Sequence, residues 1–280
     1  MSKRNLNQGR VIITGASSGI GRALALALAK QGCRLVLLAR REDKLLALQQ
    51  EIVLLGESAK MDSQPRNVQI VVGDVTDDNV RQQTVQKALD CYGGIDILIN
   101  NAGIGAFGLF EKADSDRFLQ ILDVNLVSVV EMIRLTLPHL IESAQEQKKT
   151  RHGCVPMIVN TSSIMGKRGA PYSSEYSAAK FGIQGFSEAL RAELSIYGID
   201  ILVVCPGTTK TEFFDSAIDN TGMPKWPSHK PVLPEFVAQQ VVKAMKSGKH
   251  EIVPYFWARV LCWLCRISPG LVDRIMCRYV

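Results

Sequence analysis

Ser163, Tyr176 and Lys180, in the stretch SSIMGKRGAPYSSEYSAAK, are side chains whose types and spacing can do proton chemistry. A tyrosine four residues before a lysine places both on one helical face, one turn apart. A free tyrosine hydroxyl, with a pKa of about 10, is a poor proton shuttle near neutrality. A cation about 4–6 Å away favours the phenolate and lowers an acidic pKa by roughly 1–3. Tyr176 is then expected near about 7–9, where it can exchange a proton with an alcohol or carbonyl oxygen. Ser163 follows the strand-like run 157–160, from which its hydroxyl can reach the same oxygen.

Something must bring that oxygen to a second reactant. Residues 11–21, VIITGASSGIG, read as an apolar strand, a turn with glycines at 15, 19 and 21, and the start of the helical pattern RALALALAK. Backbone N–H groups and the positive end of that helix would face a docked anion. Glycine is needed where the chain turns sharply and where a pyrophosphate approaches the backbone. The spacing, G-x-x-x-G-x-G, departs from the common G-x-G-x-x-G dinucleotide fingerprint.

Further segments complete a pattern. They are Asp74 in GDV, Asn100-Asn101-Ala102-Gly103, Asn125 in LDVNLVSVV, and Pro206-Gly207 with Thr211. With Thr14-Gly15-x-x-x-Gly19-x-Gly21, Ser163 and Tyr176-x-x-x-Lys180, the chain resembles the short-chain dehydrogenase/reductase family from residue 10 to about 253. The resemblance implies a Rossmann-like, doubly wound parallel sheet in three α/β/α layers, and Asn125, Ser163, Tyr176 and Lys180 as catalytic residues. It implies a nicotinamide cofactor held by Thr14, Gly15, Ser17, Ser18, Gly19, Ile20 and Gly21. Asp74 would face the adenine with Val75 as its apolar wall, and Asn101, Ala102 and Gly103 would line the adenosine ribose. Pro206, Gly207 and Thr211 would hold the nicotinamide end, and Lys180 its ribose. Asn125 would anchor a water relaying protons to Lys180, or else be a buried asparagine bonded to backbone. Asp74 and Thr211, taken singly, read equally as helix N-caps.

The rest of the chain agrees. Its 280 residues, 46% hydrophobic, supply an ample core, and the regular alternation leaves no linker between domains. Strand-like runs fall at 11–14, 34–39, 68–72, 95–99, 155–160, 199–204 and 251–253. Helical patterns fall at 21–31, 42–55, 77–91, 115–136, 174–197 and 234–247. Strands alternating with helices imply a seven-stranded parallel sheet covered on both faces. Residues 1–253 therefore read as one domain with a loop at 208–234, and 254–280 as an extension. The polar stretches 56–67 and 141–152 read as exposed loops.

Cofactor choice turns on the end of the second strand, where NAD-binding proteins place an acid on the ribose 2′-hydroxyl. LVLLARRE puts Ala39 there, followed by Arg40 and Arg41. An arginine fork can hold a 2′-phosphate, with Ser17 adding a bond, so NADP(H) is expected over NAD(H). The alternative is that both arginines merely begin the next helix.

The substrate is less legible. The segment 208–234 has the length of a functional lid. Phe213, Phe214, Met223 and Trp226 there, with Ile104, Ala106, Phe107, Ile164 and Met165, can build an apolar wall. This favours a hydrophobic ketone or secondary alcohol, steroid-like, long-chain or 3-oxoacyl. Lys210 and Arg168 leave room for an acidic acyl carrier. A non-catalytic NADP-binding regulator is the alternative, opposed by the intact Asn125, Ser163, Tyr176 and Lys180.

The N-terminus has no apolar signal segment, and seven scattered cysteines suit a reducing, cytoplasmic setting. Cys262 and Cys265 form a lone CxxC without the further ligands a zinc site needs. The net charge of +6 is spread without aromatic interleaving, which argues against nucleic acid. The helices at 115–136 and around Tyr176 form oligomer contacts in similar enzymes, and the stripe Phe181, Ile183, Phe186, Leu190, Leu194 fits such a contact or ordinary core. In 254–280, YFWARVLCWLCRI is apolar but too short to span a bilayer, and the tail carries four arginines against one aspartate. A helix of this kind lies in a lipid headgroup interface, or else buries Trp257 and Trp263 in protein.

Overall fold

The computed structural model describes residues 4–58, 68–150, 154–215, 217–218 and 230–279. In chain order, β1 (Arg10–Thr14) leads through the glycine turn into α1 (Gly19–Ala29), then β2 (Arg34–Ala39) and α2 (Glu42–Ser58). β3 (Val68–Val72), α3 (Asp78–Tyr92) and β4 (Ile97–Asn100) follow. After β4 come α4 (Ser115–Leu122), α5 (Ser128–Thr150), β5 (Met157–Thr161) and α6 (Ser174–Leu194). β6 (Asp200–Val204), α7 (Pro234–Ser247) and β7 (Glu251–Ile252) complete the alternation, and α8 (Phe256–Ile267) and α9 (Pro269–Met276) form the tail.

The seven strands make one parallel sheet in the order β3-β2-β1-β4-β5-β6-β7. Successive side chains of a strand point to opposite faces, and the two apolar cores follow that period. Ile13, Leu35 and Leu37 join one core with Leu24, Leu28, Val237 and Val241 of α1 and α7. Ile12, Val36 and Leu38 join the other with Met132, Ile133, Ile183 and Leu190 of α5 and α6. Strands covered on both faces carry continuous apolar runs, as here. The order reverses between β1 and β4, and ligands of such sheets bind outside the carboxyl ends of the strands at that switch point.

Two sequence expectations need correction. The helix expected at 115–136 is interrupted: α4 ends at Leu122, and Asp123–Val127 form a wider π turn before α5. Asn125 lies in that turn, where the ladder shifts and frees its side chain to bond elsewhere. The loop expected at 141–152 is helical to Thr150, because its glutamates, glutamines and lysines favour helix and Leu140 and Ala144 bury into the core. Helix α6 spans 174–194, and its stripe divides. Ile183, Leu190 and Leu194 are core, Phe186 packs against it, and Phe181 is exposed.

Candidate active site

The site begins at the glycine turn. Gly15 holds φ +67°, and a Cβ there would lie 2.7 Å from the Ala102 Cα, so only glycine lets β1 turn against the Asn-Asn-Ala-Gly segment. Thr14 Oγ1 accepts from the backbone N–H groups of Asn101 and Ala102, at 3.1 Å each. Asn101 Nδ2 donates to the carbonyls of Thr14 and Gly15 at 3.2 Å. Its side chain braces the turn, and Asn101 also lines the cavity beside Ala102 and Gly103. Helix α1 starts at Gly19, and Ser18 at its N-cap makes no side-chain bond to the helix N–H groups. Those donors and the positive helix end remain for an anion.

Arg40 and Arg41 part company. Arg41 donates to Ser17 Oγ (3.1 and 3.3 Å) and to Ser18 Oγ (2.6 Å), while Arg40 reaches Asp74 at 3.5 Å. Glu212, which sequence reasoning missed, pairs with both Arg41 and Lys44 at 2.5 Å. Hydrogen bonds from Lys44 and Arg41 hold its carboxyl down at about 2. No motif flags Glu212, since its partners lie far away in sequence. Asp74 accepts from Thr76 N–H and Oγ1, and α3 is capped by Asp77, so Asp74 is not the helix cap.

Ser163, Tyr176 and Lys180 converge on one cavity. The Tyr176 side chain lies beside Ser163 in the cavity lining, and Ser163 Oγ accepts from Met165 N–H at 3.1 Å. Lys180 Nζ donates to the Thr161 carbonyl at 3.0 Å and stands 5.5 Å from the Tyr176 ring centroid. Asn125 Nδ2 donates to the carbonyls of Ile104 (2.9 Å) and Ile121 (3.1 Å), and its Oδ1 accepts from Ile104 N–H. It is a buried asparagine bonded to backbone, fixing the chain after Gly103 next to Lys180. The structure reverses the acid–base expectation. Burial pushes the Tyr176 hydroxyl above its ordinary value, offset in part by Ser163, and burial brings Lys180 down to about 8. Desolvation is the largest cause in both groups.

Beyond Tyr176 the wall is aromatic. Phe213 lies 5.6 Å from Tyr176 and from Phe214, and Phe107 stacks on Phe214 at 5.5 Å. A Cβ on Gly105 would meet Phe213 at 2.9 Å, so this glycine admits the ring. Ile104, Ile164 and Met165 line the same space, and Ala106 is buried behind it with Ile121 and Ala179. Met223 and Trp226 lie outside the described residues. Arg168 pairs with Asp273 of α9, which removes it as a free clamp for an acidic group.

The whole cavity, about 580 Å³, runs from Ser17, Arg40, Arg41, Asp74 and Val75 past Gly15, Gly19, Ile20, Ala102 and Gly103. It ends at Ser163, Tyr176, Lys180, Pro206, Gly207 and Thr211. A dinucleotide fits this donor set: free helix N–H groups for its diphosphate, an arginine–serine cluster at one end, and a proton-donating pair at the other.

The family model described as short chain dehydrogenase matches residues 9–222. A dehydrogenase/reductase SDR family protein 7-like of Anopheles gambiae is 32% identical over 98% of this chain and 83% of its own. The ketoacyl reductase HetN of Nostoc is 32% identical, covering 95% of this chain and 87% of its own. A 3-ketodihydrosphingosine reductase of Bacteroides thetaiotaomicron is 34% identical over 74% of this chain and 66% of its own. A short-chain dehydrogenase of Burkholderia phymatum, solved with NAD, shares the fold at a TM-score of 0.80 and 23% identity, over 95% of this chain and 96% of that one. An alcohol dehydrogenase of Thermococcus sibiricus, solved with 5-hydroxy-NADP, superposes at 0.71 with 25% identity, over 87% and 94%. With the sheet order, the glycine turn and the Ser163–Tyr176–Lys180 cluster, these matches show that the chain belongs to the short-chain dehydrogenase/reductase family of oxidoreductases.

Proposed function

We propose that the protein is an NADP(H)-dependent reductase of a hydrophobic ketone, working in reverse on the secondary alcohol. The observation that carries this reading is the placement of Tyr176, with Ser163 and Lys180, in one cavity with the glycine turn and against the Phe107–Phe213–Phe214 wall. The nicotinamide, when bound, supplies the hydride that reaches the carbonyl carbon.

The chain's own residues do the rest. Tyr176 gives its proton to the carbonyl oxygen as charge develops there, and Ser163 donates a hydrogen bond to the same oxygen. Lys180 holds the nicotinamide ribose hydroxyls and, as a cation, draws the Tyr176 proton toward release. Asn125 keeps the Gly103–Ile104 backbone against Lys180. Arg41, with Ser17 and Ser18, takes the 2′-phosphate, and Arg40 flanks the adenine with Asp74. Residues 1–253 act as one catalytic domain in the cytoplasm, and 254–280 as an appendage.

A 3-oxoacyl substrate of lipid metabolism is the second reading, favoured by the relatives named for ketoacyl and 3-ketodihydrosphingosine reduction. Assembly into a homo-oligomer is supported by Phe118, Leu119, Val127 and Phe181, exposed on α4, the π turn and α6. A monomer by light scattering at micromolar concentration would contradict it. The function is tested by a screen of long-chain, cyclic and 3-oxoacyl ketones against NADPH and NADH, followed by nicotinamide absorbance. Oxidation of NADPH with an apolar ketone supports the reading. Turnover confined to small polar carbonyls, or to NADH, overturns it.

A further inference from the structure

We propose that α8 and α9 form a docking surface for an anionic lipid bilayer, seated beside the mouth of the substrate cavity. The inference concerns attachment and stands apart from which carbonyl is reduced.

The tail is tied to the protein by one side only. Ala258 is buried, Cys262 and Cys265 are half-buried, and on α9 Val272 and Met276 are buried. A Cβ on Gly207, which lines the cavity, would lie 3.7 Å from the Tyr255 ring and 3.8 Å from the Ala258 Cβ. Asp273 pairs with Arg168, two residues beyond the turn that Ser163 starts. This inner side anchors the tail, so the outer side is free of that task.

The outer side is apolar. Phe256, Val260, Trp263 and Ile267 succeed one another at the spacing of one helical face, flanked by Trp257 and Leu264. Trp257, Trp263 and Ile267 are 57%, 61% and 62% exposed. On α9, Leu271 and Ile275, one turn apart, are exposed as well. Exposed apolar helix faces of this kind mark an interaction site.

Charge selects the occupant. Arg259 and Arg266 border the apolar face of α8, Arg259 lying over the Phe256 ring at 5.6 Å, and Arg274 and Arg278 follow on α9 and beyond. The tail's sole carboxylate side chain, Asp273, is already committed to Arg168. A second copy joined through this face would bring the same arginines and no free carboxylate, since a two-fold interface sets like patches against like. Lipid phosphates supply the missing charge, and tryptophans at the helix surface suit the headgroup level. Twelve residues make a helix of about 18 Å. Among the described residues no helix is long and apolar enough to cross a membrane, so α8 lies in the plane of the surface.

The test is flotation of the full-length protein with phosphatidylcholine vesicles, with and without phosphatidylserine. The wild type is expected to float with the anionic vesicles and much less with the neutral ones. Arg259→Gln with Arg266→Gln should weaken partition about fivefold per arginine, or about 25-fold for the pair. Trp263→Glu with Ile267→Glu should abolish flotation while leaving the thermal midpoint unchanged, since both side chains face outward. Absence of wild-type flotation, or flotation indifferent to the Trp263/Ile267 pair, overturns the proposal. So does an oligomer that does not float and that the same pair splits to monomers in light scattering, because a second copy is then the occupant.

Discussion

The Glu212 carboxylate lies 2.5 Å from the Arg41 guanidinium, tying the segment after β6 to the start of α2 across the Arg40–Arg41 end of the cavity. A 2′-phosphate would compete with that carboxylate for the same arginine. Glu212 is partly exposed, and such pairs contribute about 1 kcal/mol or less. Glu212→Gln is therefore expected to tighten NADPH binding by up to about fivefold and leave NADH unchanged, as read by nucleotide fluorescence titration. Equal changes for both nucleotides would separate Glu212 from phosphate recognition.

Arg41, bonded to Ser17 and Ser18, is better placed for the phosphate than Arg40, which leans toward Asp74. Bonds to a charged group contribute about 1.5–3 kcal/mol. Arg41→Ala should weaken NADPH about 10- to 100-fold with little effect on NADH, and Arg40→Asp should discriminate in the same sense but less. A pattern in which Arg40 dominates would contradict the geometry.

Arg117 of α4 and Glu175, the residue before Tyr176, form an ion pair buried on both sides. Removing one partner strands a charge in the interior, at a cost of about 3–5 kcal/mol. Arg117→Met should lower stability by that amount in denaturant unfolding, and Arg117→Met with Glu175→Leu should recover most of it. Equal loss in single and double variants would show that the pair's shape, not its charge, matters.

Lys180 has its pKa lowered to about 8 from the ordinary lysine value. Between about pH 8 and 10 the unfolded chain keeps this proton and the folded chain has lost it, so stability from this group rises with pH, by about 1.4 kcal/mol per pH unit at most. Below about pH 8 both forms are charged and the burial cost is at its fullest. Lys180→Met should flatten that rise in unfolding curves taken across the window. An unchanged slope would mean the ammonium is solvated in the folded protein.

The sequence carried the sheet and the meeting of Tyr176 with Lys180 because both are local signals: apolar runs buried on two faces, and two side chains one turn apart. What it could not carry depends on contacts between distant segments. Glu212 meets Arg41 and Lys44 only once β6 and β2 lie in one sheet. Asn101 braces the glycine turn because Thr14 and Gly15 sit beside it across the strand switch. The Tyr176 environment escapes the sequence for a related reason: spacing reveals the neighbouring lysine but not the burial that raises one group and lowers the other. The π turn at Asn125 left no mark, since its residues continue the helical pattern on either side.

The central claim is that the Tyr176 hydroxyl delivers the proton to a carbonyl oxygen in this cavity. Its most direct test is the single-turnover rate of Tyr176→Phe with NADPH and an apolar ketone, alongside the NADPH dissociation constant. The account predicts cofactor binding within about twofold of wild type and a rate lower by about 10²–10⁴. A wild-type-like rate in that variant would contradict it.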